Sequence, residues 1–271
     1  MRVLVLADLH HDFWRLKNED HDRLLSALEG LGRVDAIILA GDISNKARVR
    51  WKHAFNDLSR MCSRDKIFVS TGNHDFYDHR LDGEDRLKEV VENEGVRWAV
   101  DQEVVLGGVR FLVTPLWVNH RLHNRLDDNR DEVSRVMNDF RYIRLASGGF
   151  RKILPRDVEQ AHERHLSFLE KALSKPFSGR TVVVSHHAPH PDVLPAGETP
   201  QAAYASDLSG FLEKHRCRAN LWLHGHAHRS VSVDVCGWSI RNVSLGYPKK
   251  DLDVEGRLKR ALFCTSDLHV P

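Results

Sequence analysis

Five short apolar runs, each broken off by metal-binding residues, constrain this chain more than anything else in it. They are Val3-Leu4-Val5-Leu6-Ala7 before Asp8 and His10; Ala36-Ile37-Ile38-Leu39-Ala40 before Gly41 and Asp42; Ile67-Phe68-Val69-Ser70 before Asn73, His74 and Asp75; Val182-Val183-Val184-Ser185 before His186 and His187; and Leu221-Trp222-Leu223 before His224, His226 and His228. Each is short, β-branched and unbroken, the pattern of a strand buried on both faces. In an open α/β sheet the loops leaving the carboxyl ends of the strands converge on one crevice, so residues remote in sequence meet there. One run ending this way is chance. Five need a common cause, a single polar site built from five strand ends.

The segments between the runs agree with that frame. Residues 22–29 carry apolar side chains at helical spacing and Gly30 and Gly32 close them, so residues 1–42 read as β-α-β. Further helices are expected at about 46–61 and at 84–94, the latter closed by Gly95. Three such units predict a largely parallel sheet with right-handed crossovers. The rhythm changes at 103–113, where two extended runs around Gly107-Gly108 signal a hairpin and the start of a second sheet. Residues 119–173 are helical and charged, with Val158, His162, His165, Leu166, Leu169 and Leu173 on one face of a helix beginning near Pro155. This stretch, about 119–174, is expected to be a helical insertion beside the crevice that shapes access to it. A loop rich in Pro and Ala at 188–203 precedes a short helix near 207–214, and the final third, ending in a strand at 260–265, reads as antiparallel pairs. With 271 residues and no linker or repeat, one domain over 1–271 is expected.

Composition removes several function classes. Forty basic and 38 acidic residues leave a formal charge of +2, so no electrostatic excess announces a nucleic-acid partner. The first apolar stretch stops at Asp8, too short for a signal peptide or a membrane span, which makes a cytoplasmic protein the expectation. Cys62, Cys217, Cys236 and Cys264 lack C-x-x-C spacing and read as reduced thiols.

Asp8, His10, Asp42, Asn73, His186, His226 and His228 make seven candidate ligands, too many for one tetrahedral ion. Carboxylate, imidazole and amide oxygen together suit divalent transition metals, with Mn, Fe and Zn all compatible. Seven donors fit two ions sharing one carboxylate. Such ions sit about 3.5–4 Å apart, generate a nucleophile from water and clamp a phosphate during in-line displacement.

The ordered set Asp8-x-His10, Gly41-Asp42, Gly72-Asn73-His74-Asp75, His186 and Gly225-His226-x-His228 resembles the signature of the calcineurin-like metallophosphoesterase superfamily. The resemblance spans residues 8 to 228. It implies an α/β fold, a four-layer α-β-β-α sandwich of two mixed sheets flanked by helices, around a dinuclear centre. It further implies that Asp8, His10, Asp42 and His228 hold the first metal, that Asp42 bridges, and that Asn73, His186 and His226 complete the second. His74 is then expected to donate a proton to the leaving oxygen or to stabilise the transition state, roles its near-neutral ordinary pKa suits, with Asp75 orienting it. Protein phosphatases of the superfamily carry Gly-Asp-x-x-Asp-Arg-Gly, whereas Asp42 here is followed by Ile43-Ser44-Asn45-Lys46-Ala47, which argues against a phosphoprotein substrate. The run from Leu221 to His228, residues 242–248 and Met137-Asn138-Asp139-Phe140 are similar to small bacterial-type phosphoesterases.

Blander readings apply elsewhere. Asp267-Leu268-His269 repeats the first motif with nothing downstream to complete a site. Strand alternation sends His186 and His187 to opposite sides, so His186 is the expected ligand and His187 an outer neighbour. His162 and His165 are three apart, unlike the four of a zinc-protease helix, and read as a core-flanking face. Arg121, Arg125, Arg130, Arg135 and Arg141 alternate with acids and read as solvated faces. His11, His120 and His190 lie close enough to the motifs to touch a substrate.

The expected function is hydrolysis of a phosphodiester or phosphomonoester through a metal-bridging hydroxide, with a small phosphate ester as substrate. The rival enzyme is a nuclease on DNA or RNA, which needs a basic groove that the insertion would supply. The rival outside catalysis is a binding scaffold on the same fold, disfavoured because every ligand position is filled.

Overall fold

Burial on both faces is what the apolar runs achieve. The computed structural model describes residues 1–195 and 200–268. Its first half runs β1 (Arg2–Leu6), α1 (His11–Trp14), α2 (Asn18–Leu31), β2 (Ala36–Ala40), α3 (Ala47–Leu58), β3 (Ile67–Ser70), α4 (Glu84–Asn93) and β4 (Arg97–Trp98). β1 to β4 pair in parallel in that order, so three successive crossovers place α2, α3 and α4 along the sheet, as the repeated strand-helix rhythm predicts.

The hairpin β5 (Gln102–Leu106) and β6 (Val109–Thr114), turning on Gly107-Gly108 at positive φ, opens the second sheet. After it come α5 (Leu126–Val136), α6 (Asp139–Tyr142), β7 (Arg144–Leu145), β8 (Arg151–Lys152), α7 (Pro155–Ser174), β9 (Thr181–Ser185), α8 (Ser209–His215), β10 (Leu221–His224), β11 (Ser232–Val235), β12 (Trp238–Asn242), α9 (Val254–Arg260) and β13 (Leu262–Cys264). The second sheet has the order β11-β12-β10-β9-β6-β5, with its four inner strands parallel. Alternation divides its side chains between two cores. Phe111, Val113, Val182, Val184, Leu221 and Leu223 face the first sheet, while Leu112, Val183, Trp222 and Ile240 face α7 and α8 through Leu169, Leu173, Phe211 and Leu212. Helices, sheet, sheet and helices make the four layers.

Three readings need correction. In the final third β11–β12 around Cys236-Gly237 and β13 with β1 are antiparallel as expected, but β12 runs parallel to β10, β13 belongs to the other sheet, and α9 intervenes, capped by the Asp253 carboxylate accepting the Gly256 N–H at 2.8 Å. The stretch 119–174 is not all helix, because β7 and β8 form a small antiparallel pair inside it. The helix expected at 46–61 stops at Leu58. The loop at 188–203 falls partly, and His269 wholly, outside the described residues.

α7 begins where Pro155 and Asp157 put it: the Asp157 carboxylate accepts the Leu154 N–H at 2.7 Å and takes two hydrogen bonds from Arg151. His162 and His165 both turn onto the Trp117 backbone, one donating to its carbonyl and the other accepting its N–H at 3.4 Å. They belong to the packing of α7. Among the described residues no helix is long and apolar enough to cross a membrane.

Candidate metal centre

At their carboxyl ends the two sheets are stitched together. Ala7 donates to the Val243 carbonyl at 3.1 Å and accepts from Leu245 at 2.9 Å, Asp8 accepts from Gly246 at 2.9 Å, and within the first sheet Asp8 donates to the Gly41 carbonyl at 3.0 Å. The loops beyond β1, β2, β3, β9 and β10 therefore end against one another, and all seven expected ligands meet there. Close approach depends on glycine. A Cβ on Gly41 would lie 2.7 Å from His186 Nδ1, one on Gly72 2.6 Å from His186 Cε1, and one on Gly225 2.6 Å from Asp8 Oδ2. Asp8, His10, Asp42, His226 and His228 all hold left-handed backbone, with φ between 41° and 65°. Such strain concentrates where function over-determines the conformation.

On one side Asp8 Oδ1 lies 3.0 Å from His228 Nε2, and His228 Nε2 lies 3.0 Å from His10 Nε2. The other Asp8 oxygen accepts the His226 N–H at 2.8 Å and the Ser244 hydroxyl at 2.6 Å. His10 stacks on Tyr247 with centroids 4.1 Å apart. On the other side His186 donates from Nδ1 to the Ala40 carbonyl at 3.0 Å, because a carbonyl can only accept. Its neutral ring then presents a bare Nε2 to two more acceptors, Asn73 Oδ1 at 3.1 Å and Asp42 Oδ1 at 3.4 Å. Three lone pairs converge with no proton to share, an arrangement that a cation satisfies. His226 Nε2, buried without a hydrogen-bond partner among the described residues, adds a further donor atom. Asp42 Oδ2 faces the opposite way, 3.8 Å from His10 Nε2. The donor set fits metal binding.

Burial pushes His10 and His226 well below the usual imidazole range and His186 down to about 3, which keeps the lone pairs available. Burial, with the charges of Asp8 and Asp75, drives the Asp42 carboxyl well up, a repulsion that bound cations relieve.

Two expected roles change hands. Asp75 does not orient His74. Its carboxylate is filled by the N–H groups of Asp42 (2.7 Å), Gly72 (2.8 Å), Ile43 (3.0 Å) and Ser44 (3.3 Å) and by Trp51 Nε1 (3.0 Å), so it fixes the loop that carries Asp42. Asn45 takes the orienting position, 2.9 Å from His74 Nδ1. His187 also departs from the alternation argument, because β9 ends at Ser185 and both following N–H groups turn onto the Pro115 carbonyl, at 3.1 and 3.2 Å. Its ring comes to 4.4 Å from that of His226, and ligand atoms of His186, His187 and His226 lie within 4.8 Å of one another.

Asp139 and Tyr247 complete the surroundings. The Asp139 carboxylate accepts from Asn73 Nδ2 at 2.8 Å and from the Tyr77 hydroxyl at 2.7 Å, which turns the Asn73 carbonyl oxygen towards His186. Residues 137–140 and 242–248 stand out in the sequence only through family likeness, and nothing local marks these two as partners of the ligands. His11, His120 and His190 are engaged elsewhere, with Asp57 at 2.7 Å, Glu159 at 3.1 Å and Ser209 at 3.1 Å.

A family model described as calcineurin-like phosphoesterase matches residues 1–230. Phosphopantetheinyl hydrolase (PptH) from Mycobacterium tuberculosis shares the fold, with a TM-score of 0.68 at 17% identity over 96% of this chain and 94% of that one. TT1561 of Thermus thermophilus gives a TM-score of 0.49 at 13% identity, over 97% and 96%. No curated protein matches. With the family model covering 230 of 271 residues over a buried His, Asp and Asn centre, the chain belongs to the calcineurin-like phosphoesterases and is a metal-dependent hydrolase of phosphoric esters.

Proposed function

We propose that the centre takes two divalent ions and that the enzyme hydrolyses a small organic phosphodiester. The reading rests on one observation above the others: Asp42 turns one oxygen towards His186 and Asn73 and the other towards His10, so a single carboxylate serves both sets of donors. Two ions, when bound, supply a water-derived nucleophile and neutralise the phosphate oxygens. Asp8, His10 and His228 hold one ion, Asn73, His186 and His226 the other, and Asp42 joins them.

His74 stands at the open side, half-buried, with Nε2 3.4 Å from the Tyr247 hydroxyl and 4.0 Å from Asp42 Oδ2. Burial lowers it to about 4, and an arriving anionic phosphate favours its charged form again. Asn45 accepts from Nδ1, so the imidazolium is oriented with Nε2–H directed at a leaving oxygen. A cavity of about 580 Å³ over this edge is lined by Phe13, Tyr77, Tyr142 and Tyr247 with Lys46 and Arg50. It has the size and mixed character of a pocket for an organic ester group.

The test is hydrolysis of bis(p-nitrophenyl) phosphate and p-nitrophenyl phosphate by purified protein loaded with Mn²⁺, Fe²⁺ or Zn²⁺, with metal content measured alongside. Two bound ions and metal-dependent turnover, faster on the diester, support the reading. Fewer than two ions, with neither ester cleaved, end it.

A further inference from the structure

Beside the cavity over His74 lies a second, of about 520 Å³, and the two share Asp78 and Tyr142 in their walls. Five arginines line it: Arg48, Arg80, Arg86, Arg141 and Arg144. Asp78 is the single carboxylate among its described lining residues. Arg86 is paired with Glu89 at 2.9 Å, and Arg141 bonds the Arg135 carbonyl at 3.1 Å. Among the described residues the guanidinium groups of Arg48, Arg80 and Arg144 have no hydrogen bond or ion pair.

Their placement is built and not incidental. Arg80 and Arg144 face each other across a parallel β-bridge, fixed by Arg144 donating to the His79 carbonyl at 3.0 Å and Leu81 donating to the Arg144 carbonyl at 2.8 Å. Like charges directly opposite on a β-bridge repel, so the pair costs stability unless an anion lies between. One comes from the loop that follows the His74 motif and the other from the small β7–β8 pair of residues 119–174. A line of rings leads from the metal centre to them. His74 stacks on Tyr77 at 4.3 Å and Tyr77 meets Tyr142 at 5.5 Å, while Phe150, 61% exposed, lines the arginine cavity.

We propose that this cavity binds a second phosphate, carried on the organic part of the substrate away from the ester that is cleaved. The inference rests on the phosphoesterase reading of the adjoining centre. Planar guanidinium groups bind phosphate oxygens two at a time, and exposed rings beside them accommodate a flat or extended organic spacer. The substrate class is a phosphodiester of a nucleotide-like alcohol that bears a further phosphomonoester. A space of about 520 Å³ has room for one such group.

The experiment compares thymidine 5′-(p-nitrophenyl phosphate) with the same ester carrying a 3′-phosphate, using the metal-loaded enzyme. The 3′-phosphate is expected to lower KM about tenfold with kcat little changed, as one strong charge-assisted contact gives. In the Arg80→Ala/Arg144→Ala double variant the advantage falls to about twofold or less, while bis(p-nitrophenyl) phosphate is cleaved at the parent rate; Arg80→Lys restores part of it. Equal KM values in the parent, an advantage that survives the double variant, or equal loss on both esters overturns the proposal. Calorimetry with thymidine 3′,5′-bisphosphate and thymidine 5′-monophosphate judges the cavity without turnover. Preference for the bisphosphate that the double variant loses upholds the cavity even if no ester is cleaved and the phosphoesterase reading fails. No preference, or affinity that climbs steadily with oligonucleotide length, overturns it.

Discussion

At the residue scale, the centre is a set of donors that cannot satisfy one another. Asp42→Asn removes the shared charge while keeping the shape. It is expected to lower metal content from two ions to one or none and to cut kcat/KM at least about a hundredfold, since losing even a hydrogen-bond partner of a metal ligand costs about 10–100-fold. Metal analysis beside kinetics checks this, and two retained ions would count against the bridge. Asn45→Ala is different in kind, because among the described residues the side-chain hydrogen bond of Asn45 goes to His74 Nδ1. Metal content should stay at the parent level while kcat falls about tenfold or more, most for esters with poor leaving groups. A uniform loss across leaving groups would remove His74 from proton transfer. Asp75 shows where adjacency in sequence misleads. Its neighbour His74 suggests a catalytic pair, yet its carboxylate serves backbone N–H groups of a loop some thirty positions upstream, a contact with no local signature. The seven candidate ligands were legible because each follows the end of an apolar run. Asn45, Asp139 and Tyr247 were not, because a side chain that orients a ligand needs no fixed spacing from it.

At the element scale, local periodicity carried the parallel half of the fold and failed where tertiary packing decides. Gly32 and Gly95 mark helix ends that the structure reproduces, while Gly30 lies inside α2; β7 and β8 are two residues each and owe their pairing to α6 and the 79–83 loop. The α5–α7 contact depends on an ionic cluster: Arg130 donates to both Glu159 oxygens at 2.8 and 2.6 Å, and His120 Nδ1 lies 3.1 Å from Oε1. Burial opposes the Glu159 charge, but the Arg130 and His120 hydrogen bonds outweigh it and bring the carboxyl down to about 2. A pKa lower in the folded than in the unfolded chain contributes stability that is fully present above the unfolded value, near 4.5, and is lost as pH falls to about 2. Glu159→Gln should therefore be less stable than the parent at pH 7, by about 1 kcal/mol given the solvent access of the pair, and the gap should close by pH 2. Urea unfolding across that window checks it, and a gap independent of pH would assign the loss to packing.

At the scale of the whole molecule, the metal centre is also the seam between the two sheets. Asp8, His10, Asp42 and Asn73 follow strands of the first sheet, and His186, His226 and His228 follow strands of the second. Without cations the seam holds crowded carboxylates, buried unpartnered imidazole nitrogens and left-handed backbone at five ligand positions, all of which weaken the apoprotein. Metal that binds the folded chain and not the unfolded one must raise stability, by about 2.7 kcal/mol for each ion at a hundredfold excess over its Kd. Calorimetric melting should show Tm rising with Mn²⁺ or Zn²⁺ concentration and falling after chelation. In Asp42→Asn the rise should shrink to that of a single ion or disappear, and in Arg80→Ala/Arg144→Ala it should match the parent, because the arginine cavity lies outside the seam. A Tm indifferent to metal in the parent would mean that the sheets are held by their apolar core alone and that the strained ligand loops are not relieved by ions.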